Sequence, residues 1–253
     1  MLQDLFNLNI FNFFLVFSRI GTAIALFPGF SFVYVNIRTR LAIGLGITLV
    51  ILPFVAYELP AMPLAPSDLV IMIAGEVLIG AFFGVLTRIL MSSLQTAGTL
   101  VAYFSSMANA LIQDPLVEQQ SSLFSGFLTT LGVVLIFVTD SHHLMIRAVV
   151  DSYGIFAPGN SLVIGDFSEV LTLRVASAFK LGVEMSTPII ISAIIYYVGL
   201  GVLTRLMPTL PVFFFGLPIQ VSMQITILFI TLSSIMLIFM SRYDEMLSSF
   251  LAS

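Results

Sequence analysis

Several ionisable side chains of this sequence stand inside long apolar stretches, where a charge needs a partner or a function: Arg19, Glu76, Arg88, Lys180, Glu184 and Arg205. A charge at the centre of a bilayer costs roughly 2.5–3.5 kcal/mol, so such groups normally face protein or water and find a partner. Lys180 and Glu184 are four residues apart and can pair on one helix face. Glu76 has no basic residue within a helical turn, so its partner must come from another helix unless the carboxyl group is protonated.

Two roles remain open for these charges. They could form a proton relay or an ion site, or they could pair inside the protein and with other subunits. We favour the second role, and we expect five of them to be buried charges: Arg19, Glu76, Arg88, Lys180 and Glu184.

A second polar cluster, Asp140, His142 and His143, lies at the end of a predicted helix. Adjacent histidines point about 100° apart on a helix, so both cannot easily bind one ion, and no cysteine completes a metal site. We therefore expect a polar cap at an interface and no metal ion. The sequence also lacks the H-E-x-x-H, G-x-S-x-G and P-loop motifs, so it predicts neither an enzyme nor a bound cofactor.

The composition excludes most classes of soluble protein. Of the 253 residues, 59% are hydrophobic and only 9% are charged, whereas soluble domains carry about a quarter of charged residues. The net charge of −4 leaves no basic face for the phosphates of a nucleic acid, so we expect no nucleic-acid partner. The sequence therefore predicts a protein with membrane lipid among its partners.

The positions of the charges predict helices. Six stretches carry no charge, at 20–37, 41–57, 89–113, 119–139, 185–204 and 206–241. About twenty apolar residues in a helix cross the hydrocarbon core, and a helix satisfies its own backbone there. The prediction is an all-α, helical membrane-associated protein, with about six hydrophobic helices or helical hairpins near 8–30, 41–57, 69–111, 119–150, 170–204 and 219–248. No segment resembles an interdomain linker, so we expect one subunit over 1–253.

Two stretches differ from plain membrane spans. Residues 94–120 are uncharged up to Asp114 yet rich in small polar residues, a composition that suits either a partly aqueous path or an ordinary helix interface. Residues 199–220 contain three prolines that break a charge-free run into two helices joined by an apolar turn. Such a turn is poorly suited to water, so we expect it to be buried in a partner or in lipid headgroups.

Collinear motifs in the chain resemble a known family, the FliR-type subunit of the bacterial flagellar and type III secretion export gate. The resemblance rests on Gly199-Leu200-Gly201, Arg205, Met207-Pro208, Val212-Phe213 and Gly216-Leu217-Pro218, on Ala97-Gly98, Asp114-Pro115, Gln119-Gln120, Ser122, His142-His143-Leu144 and Ser152-Tyr153, and on Pro28, Arg38, Pro53, Glu76, Gly80 and Gly84. It covers nearly the whole chain.

The resemblance implies a non-enzymatic channel subunit in the inner membrane, within the flagellar basal body. Such a subunit looks like a fusion of FliP-like and FliQ-like folds, which implies a FliP-like part over about 1–168 and a FliQ-like helical hairpin over 169–253. One copy would assemble with FliP-type, FliQ-type and FlhB-type subunits and pass unfolded flagellar export substrates. A secondary transporter of small solutes, coupled through Glu76 and Glu184, is the alternative, although no internal repeat supports it.

The resemblance also implies two sets of functional residues. A channel plug would lie around Phe104–Gln120, with these residues expected in it: Phe104, Ser105, Ser106, Met107, Asn109, Asp114 and Pro115. A hairpin that contacts other subunits would include Arg205, Pro208, Pro211, Phe213, Phe214, Gly216 and Pro218.

Overall fold

The computed structural model describes residues 2–31, 35–107, 111–114, 119–159, 164–207 and 212–251. Within these ranges it describes the side chains except at 2–9, 111–114, 119–121, 164, 212, 213 and 251. The helices in the described residues are α1 (Leu2–Leu26), α2 (Ile37–Val55), a 3-10 turn (Ala56–Glu58), α3 (Pro66–Phe104), α4 (Leu123–Val138), α5 (Ser141–Ile155), α6 (Ile164–Leu206) and α7 (Val212–Leu251). The predicted helical class is confirmed.

Four of these helical segments are long and apolar enough to cross a membrane: Ile37–Glu58, Pro66–Phe104, Gly165–Leu206 and Phe214–Phe250. Helices α4 and α5 together form a fifth candidate, bent by 74° at the break between them. The part of α1 with described side chains is a shorter apolar helix, Ile10–Leu26. The protein is therefore a helical membrane protein with four or five candidate spans.

Local sequence explains several helix ends. Helix α1 ends two residues before Pro28, and Gly29 then adopts a positive φ of 87°, which glycine tolerates without steric cost. The side chain of Asn36 caps α2 by accepting a hydrogen bond from the backbone N–H of Arg38 at 3.2 Å. Helix α3 begins at Pro66, where a missing N–H does no harm.

Two predicted helices differ from the structure. The helix expected over 69–111 ends at Phe104, and strands β1 (Leu111–Asp114) and β2 (Gln119–Ser122) then form an antiparallel hairpin. The helix expected over 119–150 is replaced by β2, α4 and α5. Asp140 takes a left-handed conformation with φ of 59°, which breaks the helix between α4 and α5.

One compact unit, unit 1, comprises Met1–Ile89, Ile136–Arg174 and Tyr243–Ser253. Its buried side chains include Leu15, Ile24 and Phe83. A group of aromatic rings joins the start of α6 to the end of α7, with Phe82 and Phe167 centroids 4.6 Å apart and Phe83 and Phe250 centroids 5.3 Å apart.

The other compact unit, unit 2, comprises Leu90–Leu135 and Val175–Arg242. Its core includes Leu94, Leu128, Ile189 and Phe239, each fully buried. Helices α3 and α4 approach closely at Gly98, where a Cβ atom would overlap with the backbone of Ser125. These units reflect packing alone, and the division expected at residue 168 stays a prediction.

Candidate functional site

A buried ion pair lies at the centre of unit 1. Arg19 and Glu76 are 0% and 1% exposed, and they form a bidentate pair in which the Arg19 Nε donates to Glu76 Oε2 at 2.7 Å and Nη2 to Oε1 at 3.0 Å. The guanidinium also donates to Ser152 Oγ at 3.0 Å and to the Phe156 carbonyl at 2.8 Å. The prediction that Glu76 pairs with a residue of another helix is confirmed.

Three helices hold this pair in place. Arg19 comes from α1, Glu76 from α3, and Ser152 with Tyr153 from α5, whose aromatic ring lies 3.8 Å from the guanidinium carbon. Gly80 lets α1 and α3 approach, because a Cβ atom there would overlap with the carbonyl oxygen of Arg19. The pair therefore links the three helices, and four of the five guanidinium N–H groups donate to protein acceptors.

The other three charges expected to be buried are exposed in the chain. Arg88 lies on the outer face of α3, and no ion pair with it is found among the described residues. The side chains of Lys180 and Glu184 are 78% and 51% exposed and form the expected i,i+4 pair at 3.7 Å. These three are therefore not buried within the chain, because apolar neighbours along the sequence do not decide which face of a helix packs inside it. Their burial against other subunits stays a prediction.

The first residues of the expected plug close the end of α3. Ser106 adopts a left-handed φ of 60°, its N–H donates to the Tyr103 carbonyl, and the Met107 N–H donates to the Ala102 carbonyl. These two bonds make a Schellman motif, which usually has glycine at the left-handed position. Ser105 is buried and Phe104 is half-buried. Asn109 and Pro115 lie outside the described residues, and only the backbone of Asp114 is described.

A glutamine from α7 holds the carbonyl that ends this helix. The amide nitrogen of Gln220 donates to the Phe104 carbonyl at 2.9 Å and to the Tyr197 hydroxyl at 2.8 Å. The Tyr197 hydroxyl also lies 3.5 Å from Ser106 Oγ. Gln220 is 2% exposed. Gln220 was not singled out from the sequence, although an amide in an apolar run needs a hydrogen-bonding partner once it is buried.

The far end of the same segment is also fastened within unit 2. Ser122 Oγ donates to the Gly98 carbonyl at 3.2 Å and accepts from the Ser125 N–H at 3.1 Å, which caps the start of α4. Phe104 and Ser122, which flank this segment, are therefore each held by a hydrogen bond to another part of unit 2.

The start of α7 exposes large apolar side chains. Phe214 and Phe215 are 82% and 65% exposed, and Arg205 is exposed at the end of α6. Gly216 is buried, and its carbonyl accepts from the Tyr196 hydroxyl at 2.6 Å. Pro218 is exposed inside α7. Pro208 and Pro211 lie outside the described residues, and so does the Phe213 side chain.

The corner between α4 and α5 gathers the polar side chains singled out from the sequence. The possible ligand atoms of Asp140, His142 and His143 lie within 4.8 Å of one another, which is closer than a regular helix suggests. His143 Nδ1 lies 3.8 Å from Asp140 Oδ1, with both side chains largely exposed. Ser141 fastens this corner to α7 by donating to Asp244 Oδ1 at 2.8 Å.

Comparisons with known proteins agree on one family. The profile of the family described as bacterial export proteins, family 1, matches residues 10–246. A flagellar biosynthetic protein FliR from Caulobacter vibrioides is 32% identical over 236 residues, which cover 93% of this chain and 94% of that protein. The FliR of Bacillus subtilis is 24% identical over 89% of this chain and 88% of its own length. The secretion system apparatus protein SsaT of Salmonella typhimurium is 25% identical over 59% of this chain and 58% of its own length.

Proposed function

Because the chain belongs to the bacterial export proteins of family 1, we propose that it is a channel subunit of the flagellar type III export gate. In this role it assembles as one copy with FliP-type, FliQ-type and FlhB-type subunits in the inner membrane of the basal body. Unfolded flagellar proteins pass through the assembly, and the chain itself carries out no chemical reaction. The names of its relatives support both a flagellar role and a role shared with other secretion systems.

The observation that carries this proposal is that hydrogen bonds hold both ends of the expected plug segment, at Phe104 and at Ser122. A gate must hold back ions while closed and let an extended chain pass while open. A segment with two fixed ends can move aside in its middle without losing its place in the channel. Met107 suits the seal, because methionine is flexible and adapts to varied neighbours.

The exposed aromatic side chains at the start of α7 support assembly with other subunits. Phe214 and Phe215 begin α7 with most of their surface uncovered, and large exposed apolar patches usually mark contact sites. In this proposal Arg205 and the turn bind a neighbouring subunit, and 169–253 is the FliQ-like hairpin that follows a FliP-like part over 1–168.

The two acids that would couple a transporter, Glu76 and Glu184, are both engaged in ion pairs. A cavity of about 380 Å³ lies against Glu76 and Asp68, but both Glu76 carboxylate oxygens bind Arg19. Glu184 is exposed and pairs with Lys180. A proton-coupled carrier would need free acids that converge near the middle of its spans.

Deleting residues 106–118 tests the proposed plug. The variant should still assemble and should make the inner membrane leaky to small ions, measured by growth inhibition and dye uptake. The same deletion in cells that lack the FliP-type subunit should cause no leak.

Phe214→Glu and Arg205→Ala should instead impair assembly and swimming without a leak. Unchanged permeability in an assembled deletion variant would remove the plug, and normal swimming without the chain would remove the whole proposal.

A further inference from the structure

The part of α3 in unit 2 has a polar face. Ser92, Gln95, Thr99 and Tyr103 recur at spacings of three and four residues. At 100° per residue they fall within a sector of about 80° on one side of the helix. We name these four residues the polar stripe.

The polar stripe is the least covered side of this helix. Tyr103 is 65% exposed, Thr99 is exposed, and Ser92 and Gln95 are half-buried. The opposite side is buried by Leu94, Ala97 and Val101. Of the other polar side chains here, Ser93 is 0% exposed, and Thr96 is half-buried beside Gly182 of α6. The two exposed polar side chains of this part of α3, Thr99 and Tyr103, therefore both belong to the stripe.

Lipid is a poor neighbour for this stripe. Thr99 can satisfy its hydroxyl within the helix, because Oγ1 donates to the Gln95 carbonyl at 2.8 Å. The amide of Gln95 and the hydroxyl of Tyr103 have no hydrogen-bonding partner among the described residues. Unpaired amide and hydroxyl groups are costly in hydrocarbon, although α3 is long and apolar enough to span it. The stripe therefore faces either water and a passing chain or another subunit.

We propose that the polar stripe lines the path of the exported polypeptide and hydrogen-bonds to its backbone. This inference rests on the proposed function and identifies the surface that the cargo touches. An extended chain carries an N–H and a C=O at nearly every residue, whatever its sequence. Hydroxyl and amide groups both donate and accept hydrogen bonds, so they can bind the N–H or the C=O of each passing residue in turn.

The absence of charge and the position of the stripe support this occupant. A charged wall would hold cargo of opposite charge and repel cargo of like charge, whereas an uncharged polar wall treats varied sequences alike. The stripe ends at Tyr103, one residue before the Phe104 carbonyl that Gln220 holds. A chain moving along the stripe therefore reaches the anchored start of the proposed plug.

Single cysteines can test this contact, because the chain has none of its own. Thr99→Cys and Tyr103→Cys would report on the stripe, and Ile195→Cys on α6 is the matched control, since Ile195 is 68% exposed on an apolar surface. The experiment uses cells with the complete export apparatus and a substrate fused to a C-terminal domain that stays folded and so stops export midway. The unfolded linker before that domain carries the cysteines. Oxidation should then crosslink the arrested substrate several-fold more at Thr99→Cys and Tyr103→Cys than at Ile195→Cys.

The outcomes separate the two proposals. Both stripe positions could crosslink only to other subunits although cargo is arrested in an apparatus that can export. That result would overturn the stripe assignment and leave the export role standing. Equal capture of cargo at Ile195→Cys would overturn it too. Normal export in cells that lack this chain would instead overturn the proposed function. As a second readout, Gln95→Leu combined with Thr99→Val should slow export several-fold without changing assembly, and an unchanged export rate would contradict the inference.

Discussion

The Arg19–Glu76 pair shows what a buried charge requires in this chain. Removing two ions from water costs several kcal/mol for each, and mutual attraction compensates only when further hydrogen bonds complete the geometry. Here Ser152, the Phe156 carbonyl and the ring of Tyr153 complete it. The pair therefore fixes the orientation of three helices, and the loss of one partner leaves the other as an uncompensated charge in the core.

We expect Arg19→Met to destabilise the subunit by about 3–5 kcal/mol, because Glu76 then stays buried without its partner. Arg19→Met combined with Glu76→Met should cost clearly less than the sum of the two single substitutions. Thermal release of the subunit from the purified complex measures both effects. Glu184→Gln, at an exposed ion pair, is the control and should change stability little.

Additive losses in that double-substitution cycle would show that Arg19 and Glu76 act independently.

The need of Glu76 for a distant partner was predictable from the apolar residues around it. The identity of Arg19, 57 residues away, was not, because it depends on the rotation and register of α1 against α3.

At the scale of elements, close helix contacts and helix ends decide the architecture. Gly80 lets α1 and α3 touch, and Gly84 lies against Leu26 in the same way. The G-x-x-x-G spacing in the sequence indicates such an approach but does not name the partner helix. The end of α3 at Phe104 was not predictable, because the small polar residues that follow tolerate a helix and nothing local forbids its continuation.

Gly80→Ala should lower the temperature at which the complex loses this subunit, because the new Cβ would overlap with the carbonyl of Arg19. Gly46→Ala in α2 is the matched control, since nothing lies within 4 Å of a Cβ there. Alanine is the better helix former by up to about 1 kcal/mol, so the control should be neutral or stabilising. Equal effects at both positions would refute the close contact.

Gln220→Leu should loosen the start of the proposed plug, because the Phe104 carbonyl loses its donor. We expect an increased leak of small ions through the assembled gate, measured by dye uptake. Gln224→Leu is the control on the same face of α7, because Gln224 is equally buried but accepts a hydrogen bond from Ser192 and does not hold the plug. A leak of the same size in both variants would argue for general loosening of α7.

At the scale of the whole molecule, the chain leaves much apolar surface uncovered. Many large hydrophobic side chains are more than half exposed on several helices, among them Phe54, Ile195, Phe214 and Ile230. Charged residues are also unevenly distributed, with 16 of the 22 in unit 1 and 6 in unit 2. The helical class followed from composition, but the grouping into these units did not, since each unit combines distant parts of the sequence.

The chain should accumulate poorly when it is produced without the other gate subunits. Its exposed apolar residues then have only lipid or other copies to contact, so aggregation and proteolysis should follow. Co-expression with FliP-type and FliQ-type subunits should raise its amount in detergent-soluble membranes several-fold, measured by immunoblotting. A stable, monodisperse chain on its own would contradict the role of this surface.

Helix α6 is longer than the hydrocarbon layer is thick. Its 43 residues, at 1.5 Å each, extend about 65 Å, whereas the hydrocarbon layer is about 30 Å thick. Five of its six charged residues lie between Asp166 and Glu184, and the uncharged stretch 185–204 matches one bilayer thickness. Set upright in a membrane, α6 would be a stalk whose amino-terminal half stands clear of the acyl chains. The translocon would therefore recognise only the last twenty or so residues of α6 as a stop-transfer segment.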